Sequence, residues 1–179
     1  MSSNKPTSKL PWSVPVALSA IPEGGRRYQL AADEETRAKV AQVAALRSLP
    51  RLQANFDLAR QGSAGLRVEG QVSATVGQDC VVTLEPVDNE VKETIDLVFA
   101  PSLPAAEAEE GDIDPGGPEP LVGDSIDLGA LAVEFLILGI DPYPRKPDAK
   151  FEPPKVEADE ALHPFAALAA LKKGPGEKE

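Results

Sequence analysis

Leu52-Gln53-Ala54-Asn55-Phe56-Asp57-Leu58 alternates apolar and polar side chains without a break. A period of two sends successive side chains to opposite faces of an extended chain, so this stretch reads as a strand with one buried face. After Gln61-Gly62-Ser63-Ala64-Gly65 the pattern resumes, with Leu66, Val68, Val72, Ala74 and Val76 set against Arg67, Glu69, Gln71, Ser73 and Thr75. Gly70 falls on the apolar side of this second strand, where a missing side chain marks a bulge or a bend. Two more extended stretches, Cys80 to Leu84 and Val91 to Phe99, flank Glu85-Pro86-Val87-Asp88-Asn89, where the fixed φ of proline and the local hydrogen bonding of Asp and Asn favour a turn. Four successive strands with short connections predict an antiparallel meander with one face buried.

Helices to cover that face are legible on either side. Asp33 ahead of Glu34 and Glu35 is a helix start, because its oxygen can accept an orphan backbone N–H and acids favour the positive end of the helix dipole. Val40, Val43, Ala44 and Leu46 then supply an apolar stripe. Asp127 can cap a second helix over Leu128 to Leu138, apolar almost all round with Glu134 as its only charge, the composition of a helix in a core or under a partner. Val14, Val16 and Leu18 alternate in a short N-terminal strand that Pro15 restricts to an edge or a strand start.

The segment from Pro101 to Ser125 carries seven acidic residues and no Lys or Arg, and reads as a mobile loop unable to bury enough apolar surface to order itself. The expected organisation is thus one α+β domain over residues 12–141, following a flexible stretch 1–11. Its antiparallel sheet has four to five strands and is covered by two helices near 33–47 and 127–138. Residues 142–179 form a Pro-rich tether and a short terminal helix, with Pro164 at the first turn and Phe165, Leu168 and Leu171 making an apolar stripe that must find a docking surface.

With 18 basic and 29 acidic side chains the 179-residue chain has a net charge of −11, which repels a phosphate backbone unless the charge is unevenly placed. It is uneven: residues 26–67 hold eight basic residues against four acidic ones. Cys80 is the only cysteine, so there is no intramolecular disulfide and no thiolate cluster for zinc, which suits a reducing cytoplasm. The polar Met1 to Lys9 has no apolar signal run. The most apolar window, Leu128 to Ile140, is shorter than the roughly 20 residues a bilayer span requires, so no membrane association is expected.

The inventory argues against catalysis. The sole histidine, His163, sits at a helix start beside the tether, and Cys80 shares the period of Val82 and Leu84, which makes it a small buried residue with no environment to lower its pKa. No phosphate-binding glycine loop or calcium loop is present. No catalytic, metal or cofactor residue is therefore assigned, and no small-molecule substrate is expected. For RNA, Arg26 and Arg27 beside Tyr28, and Tyr143 beside Arg145 and Lys146, are the candidate contacts, because stacking aromatics next to cations suit bases and phosphates.

The stretch Gly77-Gln78-Asp79-Cys80-Val81-Val82-Thr83-Leu84-Glu85-Pro86-Val87 resembles the signature turn of the YceD family, the large-subunit ribosomal RNA accumulation proteins. Further matching pieces are Ile126-Asp127-Leu128-Gly129, Asp141-Pro142-Tyr143-Pro144-Arg145, and Pro164-Phe165-Ala166-Ala167-Leu168 ahead of Leu171-Lys172. The resemblance implies non-enzymatic assistance of large-subunit assembly and 23S rRNA accumulation. Many members of the family carry Cys-x-x-Cys at this turn, whereas the second position here is Thr83, so a metal role does not transfer. Two mechanisms remain open. One is direct contact with ribosomal RNA through the basic segments; the other is an acidic adaptor or holding protein for basic ribosomal proteins, which the global charge favours.

Overall fold

The computed structural model describes residues 10–62, 65–101, 117–121 and 123–151. Its elements in chain order are β1 (Pro15–Ala17), a 3-10 turn (Leu18–Ala20), β2 (Arg26–Ala31), α1 (Glu34–Val43), β3 (Ser48–Gln61), β4 (Gly65–Asp79), β5 (Pro86–Pro101), β6 (Glu119–Leu121), β7 (Ser125–Asp127) and α2 (Leu128–Gly139). The alternating stretch at 52–58 is the middle of β3, and β3, β4 and β5 are each long enough to dominate the architecture. Five strands form one sheet in the order β2-β3-β4-β5-β6, and β1 pairs with β7 in a separate two-stranded ribbon. All pairings are antiparallel except β5 with β6. The chain is an α+β protein with a mostly antiparallel sheet and two helices, as its alternation and caps predict.

The faces separate as a period of two demands. Leu52, Ala54, Phe56, Leu58, Leu66, Val68, Val72, Ala74, Val76 and Ile95 are buried, whereas Asn55, Asp57 and Glu69 are exposed and Gln71 and Ser73 half-buried. α1 packs on β3 and contributes Val40 and Ala41, and α2 packs across β4 and β5 with Leu128, Leu131, Ala132, Val133 and Leu136 buried. Asp33 caps α1 by accepting the Thr36 N–H at 2.8 Å. Asp127 caps α2 through the Gly129 and Ala130 N–H groups at 3.0 and 3.1 Å, and also accepts the Val14 N–H at 2.7 Å. One carboxylate thus ties the N-terminal segment to α2. Gly129 is required by the same junction, since a Cβ there would lie 2.8 Å from the Trp12 carbonyl oxygen.

Several expectations are corrected. Cys80 to Leu84 is not a strand, and Pro86 to Asn89 is not a turn: β4 runs on to Asp79, the reversal occupies Cys80 to Glu85, and β5 begins at Pro86. The Arg26–Ala31 segment, not recognised as extended, is an edge strand in register with β3. α1 ends at Val43, which is exposed rather than part of the buried stripe; Ala41 takes its place. Gly70 sits in continuous register opposite Phe56, not at a bulge, and a Cβ there would meet the Phe56 ring at 2.8 Å. The glycine makes room for the largest buried side chain. The acidic segment 101–125 contains β6 and the start of β7, with Leu121 buried; residues 102–116 lie outside the described residues. So do 1–9 and 152–179, which include the expected docking helix with Phe165, Leu168 and Leu171.

The first compact unit extends through Ala149. No described helix is long and apolar enough to cross a membrane.

Candidate interaction site

Two segments far apart in sequence meet at the end of the β4–β5 hairpin. The turn closes with the Cys80 N–H donating to the Glu85 carbonyl and the Leu84 N–H donating to the Cys80 carbonyl, both at 2.8 Å. To complete it, Leu84 adopts φ 59, a left-handed conformation that a side chain with a Cβ disfavours by about 1–2 kcal/mol. Leu84 is nevertheless 77% exposed.

The segment after α2 docks on this turn. Gln78 donates through Nε2 to the Asp141 carbonyl at 2.8 Å, and its own Oε1 accepts from Asn89 Nδ2 at 3.2 Å. The Asp141 carboxylate accepts the Tyr143 N–H at 2.8 Å, which folds Asp141-Pro142-Tyr143 into a tight bend. The Val81 N–H donates to the Pro144 carbonyl at 2.9 Å, Pro144 is buried, and Lys146 Nζ meets Glu85 Oε2 at 2.7 Å. That hydrogen bond and charge hold the Glu85 carboxyl below its ordinary range. The start of the stretch read as a tether is therefore fixed to the sheet end, and with α2 it frames a surface on which Val81, Leu84 and Tyr143 are exposed.

Cys80 lies at the centre of this junction and is fully buried. The Thr83 hydroxyl and the N–H groups of Lys146, Thr83 and Val82 favour the ionised thiol over the opposing effect of burial and lower its pKa from 9.0 to about 6. The expectation of an unperturbed thiol is thus overturned. Alternation along a strand does not encode a turn that aims three backbone donors at one sulfur. The residue three positions on, Thr83, contributes a hydroxyl donor. Among the described residues no three His, Cys, Asp or Glu side chains are placed to hold a metal ion.

The remaining candidates are distributed. Asp127, Leu128 and Gly129 lie at the start of α2, a helix of 12 residues and so about 18 Å long, and serve the junction with Trp12 and Val14. Arg26, Arg27 and Tyr28 stand on β2 opposite the far end of the sheet: Arg26 pairs with Leu58 and Leu58 with Val68, eleven residues along β4 from Asp79, a separation of about 36 Å. The two basic clusters named from sequence are therefore not one surface.

Nor are the basic residues of 26–67 a free positive patch. Arg27 pairs with Asp57, Lys39 with Glu35, Arg47 with Asp79, Arg51 with Glu90, and Arg67 with Glu69 and Asp96. Arg37 and Arg60 donate to backbone carbonyls, and Arg26 lies over the Tyr28 ring at 5.3 Å. Among the described residues Arg145 makes no ion pair.

The fold is an α+β domain whose hairpin turn and post-helix segment are joined by hydrogen bonds and an ion pair. The family model described as large ribosomal RNA subunit accumulation protein YceD matches residues 68–172, which begins inside β4 and takes in both segments, and the chain belongs to that family. No curated protein and no solved structure matches the chain.

Proposed function

We propose that the protein is a non-enzymatic factor assisting large ribosomal subunit biogenesis and 23S rRNA accumulation, and that it acts by binding a basic protein component rather than by gripping RNA. Membership of a family described by rRNA accumulation supports the process. The observation that carries the mechanism is the pairing of cations: five of the eight basic residues in 26–67 are neutralised by carboxylates and two more are spent on backbone carbonyls. A phosphate backbone needs unspent cations, because affinity for it grows with the number of phosphates neutralised. A chain of net charge −11 instead attracts basic proteins. The hairpin turn adds apolar anchors at Val81, Leu84 and Tyr143, of the kind that hold a protein partner at the centre of an interface.

The experiment is complementation. Cells lacking the protein should accumulate less large-subunit rRNA relative to small-subunit rRNA, the wild-type gene should restore it, and a Leu84→Gly, Tyr143→Ala variant should not. Full restoration by that variant would remove the turn from the mechanism.

A further inference from the structure

From two amides at the end of the covered sheet face we infer that Gln78 is a positioning residue for partner binding: it holds Tyr143 in place against the hairpin turn, and Asn89 orients it. The inference rests on the protein-partner reading above and goes beyond it by assigning side chains that act through Tyr143 and the turn rather than by contact with the partner.

The covered face of β4 runs through Val72, Ala74 and Val76, all buried, and that of β5 through Ile95 and Val91. A period of two places Gln78 and Asn89 next on the same face, and both are half-buried. Asn89 stands opposite Val76 and so diagonal to Gln78, within reach of a long side chain. Its Nδ2 donates to Gln78 Oε1 at 3.2 Å, which turns the Gln78 NH2 group towards its acceptor, the Asp141 carbonyl, at 2.8 Å. Apolar side chains at 78 and 89 would extend the buried face, and exchanging both partners of a hydrogen bond for apolar groups of like shape is close to neutral for stability. Folding of the sheet therefore does not call for amides here, whereas attachment of the segment after α2 does.

The contact sits where it controls both halves of the surface. Gln78 lies two residues before Cys80, where the turn begins, and its acceptor Asp141 lies two residues before Tyr143. The Asp141 carboxylate accepts the Tyr143 N–H at 2.8 Å, so the residue gripped by Gln78 also sets the bend that presents the exposed Tyr143. Beyond Tyr143 the segment is held by the Val81 N–H donating to the Pro144 carbonyl at 2.9 Å and by Lys146 against Glu85 at 2.7 Å. That ion pair is solvent-accessible at both ends, and such pairs contribute little. Ahead of Tyr143 the side chain that fixes the segment is Gln78, through a neutral amide.

The test compares the full-length wild type with Gln78→Met, Gln78→Lys and the double variant Gln78→Met, Asn89→Leu. In both methionine variants hydrogen exchange at the Val81 amide should speed up about tenfold, the equivalent of one net hydrogen bond, while the Val72 amide in the middle of β4 is unchanged. These variants should keep the wild-type melting temperature and yet fail to restore large-subunit rRNA in cells lacking the protein. Gln78→Lys, which keeps a donor for the Asp141 carbonyl, should restore it. Unchanged Val81 exchange, Val72 exchange raised along with it, full complementation by the methionine variants, or failure of Gln78→Lys would each overturn the inference. Any of these beside failure of the Leu84→Gly, Tyr143→Ala variant would fault the assignment of Gln78 and leave the proposed function standing. Restoration by that variant would fault the role of the turn, with Val81 exchange still reporting on Gln78.

Discussion

Leu84 and Cys80 hold the hairpin turn in two different ways, one as a strained display and the other as a buried acceptor. Replacing Leu84 by glycine removes the Cβ that disfavours φ 59, so Leu84→Gly should be neutral or raise stability by up to about 1 kcal/mol, read in a thermal melt. A marked loss of stability would mean that the exposed side chain packs after all. Cys80 has a folded pKa near 6 against 9.0 for the unfolded group, so its contribution is fully present above about pH 9 and lost as pH falls through about 6. Relative to Cys80→Ala, the wild type should therefore become more stable as pH rises from about 6 to about 9, with thiolate absorbance at 240 nm appearing around pH 6. A stability difference flat across that window would contradict the hydrogen-bonded thiolate. Neither property was legible in the sequence: leucine is not a turn former, and Cys80, Val82 and Leu84 mimic the alternation of a strand.

At the scale of elements, periodicity carried the reading where one face is buried and failed where the pattern is short. β3 and β4 offer enough alternation to fix which residues face inward, because a slip of one residue would invert every side chain. β2 offers only Tyr28 and Leu30, both half-buried, and owes its conformation to the ladder with β3. The helix starts were readable because Asp33 and Asp127 each make the cap that their chemistry implies. Gly70 reads in the sequence as a bulge or a bend, since a sequence does not state that Phe56 lies across from it. Phe56→Ala should cost about 3–5 kcal/mol by leaving a large cavity, and Gly70→Ala about 1–3 kcal/mol by pushing a methyl into the Phe56 ring. Chemical denaturation that shows no penalty for Gly70→Ala would break the register assigned to β3 and β4.

For the molecule as a whole, composition gives a net charge of −11, and the geometry removes the local exception to it. The surplus of basic residues between 26 and 67 is real in the sequence, but the fold places a carboxylate from a distant segment against Arg27, Arg47, Arg51 and Arg67, half of the eight, which no linear count can foresee. The docking of Asp141 to Lys146 on the turn is likewise a long-range event, although both segments were recognisable as family motifs before their contact was known. The most direct test of a protein-binding mechanism is capture of large-subunit ribosomal proteins from lysate by the full chain, with and without RNase, at two salt concentrations. The account predicts that basic large-subunit proteins remain bound after RNase and are released by added salt, since exposed charges are screened beyond about 10 Å at 0.1 M. Capture that disappears with RNase would contradict it and return the function to direct RNA contact.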